Sequence, residues 1–182
     1  MIYKIFWALR ALLYAPFFGK LAQPSYLGKP SFLMGTKNIF IHKKVRIFPN
    51  IRMETHQGGK IIIEEDVVIS QNVHITSAGN LKIRKSSLIL ANVFITNIDH
   101  DYKEIGKHVV NQKYIIKETE IGENCYIGMG AAILAGTILG KQCIVGANSV
   151  VRGEFPDYCV IVGAPAKIVK KYNLETKIWE KY

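Results

Sequence analysis

From Ile63 onward aliphatic residues return six positions apart, in runs. The frames open at Ile63, Ile69 and Ile75, at Ile83, Ile89 and Ile95, and, after a gap, at Ile121, Ile127, Ile133, Leu139, Val145 and Val151. Ile39, Val45 and Ile51 fit the same six-step register and carry it toward the N-terminus. Three places after the opener stand Asp66, Asn72, Asn92, Asn124, Gly130, Gly136 and Asn148. These residue types tolerate the left-handed backbone that a sharp corner needs. Four places after it the residue is small or β-branched in ten of twelve frames, among them Val67, Val73, Ser87, Val93, Ala131, Thr137 and Ser149. A period of six is neither the 3.6 of a helix nor the spacing of hairpins. Each side is a short strand with one aliphatic and one small residue turned inward, and it cannot bury that face alone. The coils must stack and pair in parallel. The expected fold is all-β, a parallel β-helix.

Cys125 and Cys143 are three sides apart, so they should stack in the inward small column as filler. His56 and His74 are also eighteen apart and should stack on the outer surface, as solvated imidazoles or as metal ligands.

The chain has 182 residues, room for one domain with a sizeable core. Its 49% hydrophobic and 21% charged residues exclude a disordered polymer. Three cysteines make no disulfide framework and fit a reducing, cytoplasmic setting. The net charge of +10 is unevenly placed: residues 1–62 hold ten bases and a single acid, Glu54. That asymmetry calls for an anionic partner near the N-terminal end (membrane lipid, a phosphorylated acceptor or nucleic acid) or marks a merely basic surface. The opening "MIYKIFWALRALLYAPFFGK" is apolar but interrupted by Lys4, Arg10 and Pro16. It reads as a helix lying on the inner face of the cytoplasmic membrane, packing on another subunit or covering the end of the domain, not as a span. The expected organisation is therefore a helix over 1–20, a connector over 21–38, the β-helix over 39–166 and a tail over 167–182. Leu174, Ile178 and Tyr182 are spaced four apart, which predicts a short C-terminal helix.

The rhythm fails once. Ile95 to Ile121 is 26 residues, not a multiple of six, so an extended loop over 97–120 leaves the coil. It holds His100 and His108, the only close histidine pair.

The run "IGENCYIGMGAAILAGTILGKQCIVGANSVVRGEFPDYCVIVGAPAKIVKKYN" resembles the end of the hexapeptide-repeat acyltransferases, above all through "IVGANSVV" and "VGAPAKIVKKY". The polysaccharide O-acetyltransferases and the maltose and galactoside acetyltransferases are the nearest groups. The resemblance covers Ile39 to about Tyr172. It implies a left-handed β-helix, a homotrimer with active sites between neighbouring subunits, and acetyl-CoA as co-substrate, with no metal and no nucleic acid. It also implies that the interrupting loop carries the catalytic histidine, and "DHDY" selects His100. A neutral imidazole there takes the proton from a sugar hydroxyl as it attacks the thioester. Asp99, Asp101 or a backbone carbonyl would hold its tautomer, and Asn97 would hydrogen-bond the saccharide acceptor. The N–H of Gly128 is the expected oxyanion donor. Coenzyme contacts carry over onto Gly128, Met129, Ala147, Arg152, Lys167 and Lys170. Tyr126 stands where the family often has Trp, and Gly153 where it often has Lys, which leaves the individual phosphate contacts open.

The function so implied is O-acetylation of a bacterial surface polysaccharide or its precursor. N-acetylation of a nucleotide-linked amino sugar, or acetylation of a xenobiotic, are the alternatives. A zinc hydratase of the γ-carbonic anhydrase kind would need three histidines with two close on one loop, a pattern that His100 and His108 do not supply.

Overall fold

A computed structural model describes residues 2–182. A helix, Tyr3–Tyr14, runs into a single 3-10 turn, Ala15–Phe17, at Pro16. Short strands then wind through about seven turns of a triangular coil. The first face stacks seven strands, from Lys20–Leu21 to Glu154–Phe155. The second stacks seven more, from Tyr26–Leu27 to Cys159–Gly163, and the third stacks six, from Phe32–Met34 to Val150–Val151. All pairing between coils is parallel. The protein is a β-solenoid.

Every opener from Ile63 to Val151 is buried to at least 98%. Asp66, Asn72, Asn92, Asn124, Gly130, Gly136 and Asn148 all have φ between 55° and 83°, as the corners demand. Coil length, in contrast, is not constant. Ile41 pairs with Ile63, Ile63 with Ile83, Ile121 with Leu139 and Leu139 with Phe155, so the second, third, fifth and sixth coils take 22, 20, 18 and 16 residues. The surplus and the deficit are even numbers, which leaves the inward and outward alternation intact.

Three expectations change as a result. Ile41, Ile47 and Met53 are the partners of Ile63, Ile69 and Ile75, so Ile39, Val45 and Ile51 belong to the other inward column, not to the openers. The segment 21–38 is no connector, because it forms most of the first coil. The tail carries no helix: Ala166–Asn173 and Ile178–Lys181 are antiparallel strands that extend the second face. Val169 and Tyr172 favour a strand, and the Asn173 side chain accepts from the Glu175 and Thr176 N–H groups to start the turn. Tyr172 and Trp179 then meet edge to face, 5.4 Å apart.

The N-terminal helix closes the first coil. Ala11 is fully buried in the common core, Trp7 lies against Tyr26 and Phe48, and Arg10 donates to the Leu27 carbonyl. Cys125 and Cys143 are buried as filler, each thiol donating to a backbone carbonyl of the next coil. The neighbouring Cys143 and burial push the Cys125 thiol up, which keeps it inert.

Candidate active site

The insertion begins where the third face of the fourth coil should turn. Asn97 is completely buried there. Its Oδ1 accepts from the Ala78 N–H (2.9 Å), its Nδ2 donates to Ser77 Oγ (3.0 Å), and its carbonyl accepts from the Lys117 N–H (3.0 Å). Thr119 Oγ1 donates to the Thr96 carbonyl (2.9 Å). Exit and re-entry of the chain are thus tied to each other and to the coil beneath. From this root rises an antiparallel hairpin, Ile98–His100 with Tyr114–Ile116. Its tip is held from inside by Gln112, which donates to the Glu104 and Lys107 carbonyls. His108 caps the turn Val109–Asn111 by accepting from the Val110 N–H, so it serves the loop's own backbone.

His100 sits at the end of the first hairpin strand, exposed, with its ring edge-on to Tyr114 at 4.9 Å. It borders a groove of about 360 Å³ on the outside of the third face. Phe94, Thr76 and His56 line it together with Leu134 and Ala135 of the next corner and the pair Asp99 and Arg152. Asp99 Oδ2 pairs with Arg152 Nη2 at 2.9 Å, and Oδ1 accepts from the His100 backbone N–H at 3.0 Å. Partial burial works against the charge of Asp99. Arg152, the His100 N–H and Lys117 outweigh it and hold the carboxyl below the usual aspartate value. Asp101 accepts from the Lys103 N–H. Both aspartates therefore order the backbone around His100, and neither carboxylate rests on its imidazole.

The other expected residues separate. Asn97 is sealed in the root, out of reach of an acceptor. The Gly128 N–H donates to the Val145 carbonyl at 2.9 Å, so it is no oxyanion donor. The position needs glycine for another reason: a Cβ there would lie 2.6 Å from the Ala147 nitrogen of the next coil. Met129 and Ala147 stack at the corner between the second and third faces, where the Asn148 N–H donates to the Met129 carbonyl. Lys167 and Lys170 continue that edge on the terminal hairpin, exposed. The strand Ala132–Ile133 lies between this edge and the groove, a separation on the order of 15 Å. Arg152, grouped with the coenzyme residues by sequence, belongs to the His100 side instead.

Sequence reasoning missed one cluster, which reaches the groove through His56. Glu54 is 7% exposed, hydrogen-bonded by Arg52 Nε. His56 Nε2 lies 3.4 Å from its Oε2. His74 Nε2 lies 3.2 Å from its Oε1 without a hydrogen bond's alignment. Burial raises the Glu54 carboxyl, but Arg52 and the two imidazoles outweigh that and leave it lowered; burial lowers His74 below 6.5. The histidines do not stack as expected. The coil there takes 22 residues, so His74 pairs in register with Arg52. The available signal was Glu54 itself, the lone acid among ten bases. Among the described residues no group of three or more His, Cys, Asp or Glu is arranged to hold a metal ion.

Comparison with known proteins assigns the chain. Residues 118–153 match the family described as "Bacterial transferase hexapeptide (six repeats)". WbbJ of Escherichia coli strain K12, provisionally named a lipopolysaccharide biosynthesis O-acetyl transferase, is 38% identical over 138 residues, covering 72% of this chain and 70% of WbbJ. The chain belongs to the hexapeptide-repeat acetyltransferases. Two solved structures share the fold of this acetyltransferase. The N-acyltransferase AntD from Bacillus cereus, in complex with dTDP and 3-hydroxybutyryl-CoA, superposes with a TM-score of 0.76 at 17% identity, covering 92% of this chain and 90% of AntD. The polysialic acid O-acetyltransferase OatWY gives a TM-score of 0.60 at 24% identity, covering 81% and 74%.

Proposed function

We propose that the protein transfers the acetyl group of acetyl-CoA to a sugar hydroxyl of a bacterial surface polysaccharide or its precursor, with His100 as general base. One observation carries this: the hairpin that interrupts the coil raises an imidazole over a groove. The hydroxyl oxygen attacks the thioester carbonyl while His100 takes its proton, which contributes roughly 10²–10⁴-fold. The C–S bond then breaks, and the imidazolium returns the proton to the departing thiolate. O-transfer is favoured over the N-transfer of AntD by the sequence match to WbbJ.

Lys167 and Lys170 suit the phosphates of coenzyme A, and an extended pantetheine arm suits the edge at Met129 and Ala147. That edge lies across the third face from His100, so we assign the coenzyme and the base of one active site to neighbouring copies in a homotrimer. Incubating the protein with acetyl-CoA and a panel of sugar and amino-sugar acceptors, and following free thiol, tests the reading. Acetylated amine with untouched hydroxyls would replace it.

A second observation concerns location. Ile2, Ile5, Phe6, Leu9, Leu12, Leu13 and Phe17 form one outward helical face, each more than half exposed, with Lys20, Lys29 and Lys37 exposed on the adjoining first coil. No helix among the described residues is long and apolar enough to cross a membrane. We infer that this face lies in the anionic inner leaflet of the cytoplasmic membrane. Sedimentation with anionic phospholipid vesicles should be lost in Leu9→Glu/Leu13→Glu, and unchanged sedimentation would refute it.

A further inference from the structure

The groove holds a second imidazole that the base chemistry does not use. His56 and His100 both meet Tyr114 edge to face, with ring centroids 6.4 Å and 4.9 Å from it. They differ in their support. The carboxylate beside His100 is turned away to Arg152, whereas His56 has the nearly buried carboxylate of Glu54 within 3.4 Å of its Nε2. A carboxylate in that position is expensive unless compensated. Arg52 is its hydrogen-bonded partner, and the imidazoles of His56 and His74 add to that compensation. The carboxylate lies beside Nε2 without a hydrogen bond's alignment, and its negative charge favours the tautomer with the proton on that nitrogen, which leaves Nδ1 as the acceptor.

We propose that His56, held by Glu54, is the acceptor-binding residue of the groove and seats a neutral pyranose so that one hydroxyl meets His100. This rests on the acetyl-transfer reading and names its acceptor class. Two features of the groove specify neutral and pyranose. The one ionic pair that lines it, Arg152 with Asp99, is internally compensated, and Glu54 behind His56 is paired with Arg52, so neither awaits a carboxylate or a phosphate. Phe94 and Tyr114 offer flat apolar surfaces, Thr76 and His56 offer polar atoms, and about 360 Å³ is at the small end of ligand sites, room for one ring.

The test is steady-state acetyl transfer to methyl glycosides of neutral hexoses and deoxyhexoses, with a uronate and a sialoside for comparison. His56→Ala should raise the acceptor KM roughly tenfold, leave kcat within about threefold and leave the KM for acetyl-CoA unchanged. Glu54→Gln should do the same, and the double variant should be no worse than either alone, because the two act as one unit. If Glu54→Gln fails to fold, the His56→Ala kinetics decide alone. An unchanged acceptor KM in His56→Ala overturns the inference, as does a 100-fold loss of kcat at constant KM, which would make His56 the base. Preference for the uronate or sialoside also overturns it. A wild-type protein that acetylates no sugar of the panel removes the proposed function itself, whereas a wild type that is active and indifferent to His56 removes only this subsite.

Discussion

Between Ile121 and Val151 every sixth side chain is at least 98% buried; between Tyr102 and Lys113 only Gln112 is buried. The two stretches adjoin in sequence and are ordered by different means. The coils draw their order from repetition, each aliphatic residue resting on its equivalents above and below. The hairpin draws its order from a few polar ties: Asn97 and Thr119 at the root, Gln112 in the tip, Asp99 to Arg152 at the side. Repetition makes a rigid wall and polar ties aim one imidazole over it. Substitutions in the wall should therefore be read in stability, and substitutions in the hairpin in rate.

The largest expected effect is on rate alone. His100→Ala should lower kcat/KM by roughly 10²–10⁴-fold with an unchanged melting temperature, since the side chain is exposed; a melting temperature lower by several degrees would break the distinction. Ile127→Ala should do the reverse, costing about 2–5 kcal/mol in denaturant titration with kcat per folded molecule preserved. Asn97→Ala falls where the two regimes meet. It strands the Ala78 N–H in a buried site and removes the donor to Ser77 Oγ, a loss of roughly 1–3 kcal/mol. It also frees the hairpin root, so hydrogen exchange should quicken at Ala78 and Lys117, and activity should fall with it. The smallest effect is a pH dependence. The Asp99 carboxyl is held below its ordinary value of 3.8 in the folded chain. Its contribution is therefore complete above the unfolded value and is lost as pH falls through the lower folded one. Protection of the His100 amide should hold from neutrality down to about pH 4 and fail below it. Asp99→Asn should remove that step and leave the rest of the profile intact.

The solenoid was legible because burial repeats. Twelve aliphatic openers and seven corner residues announced themselves by spacing alone, and all nineteen are where the spacing put them. The errors come from coil length. A strict eighteen-residue step assigned Ile39 to the wrong column and stacked His56 on His74. The early coils carry two or four extra residues on the third side, and only pairing between strands reveals how they are absorbed. His100 was legible from the break in rhythm and a short motif. Asn97, an amide beside a histidine, looked like a ligand contact, and only its burial shows it to be a fastener. The union of Asp99 with Arg152 spans 53 residues, and the convergence of Arg52, His56 and His74 on Glu54 depends on the exceptional coil. No local pattern encodes either.

A stack of parallel strands has no intrinsic last member, and an unpaired edge at either end invites another chain to add itself. Here the helix sits across one end, and at the other the polypeptide doubles back, leaving a reversed outer strand that carries Glu180 and Lys181. A neighbouring coil arriving end-on meets indole and phenol rings at one terminus and the wrong strand direction at the other. The second face therefore ends in a strand that offers no parallel edge to a further coil.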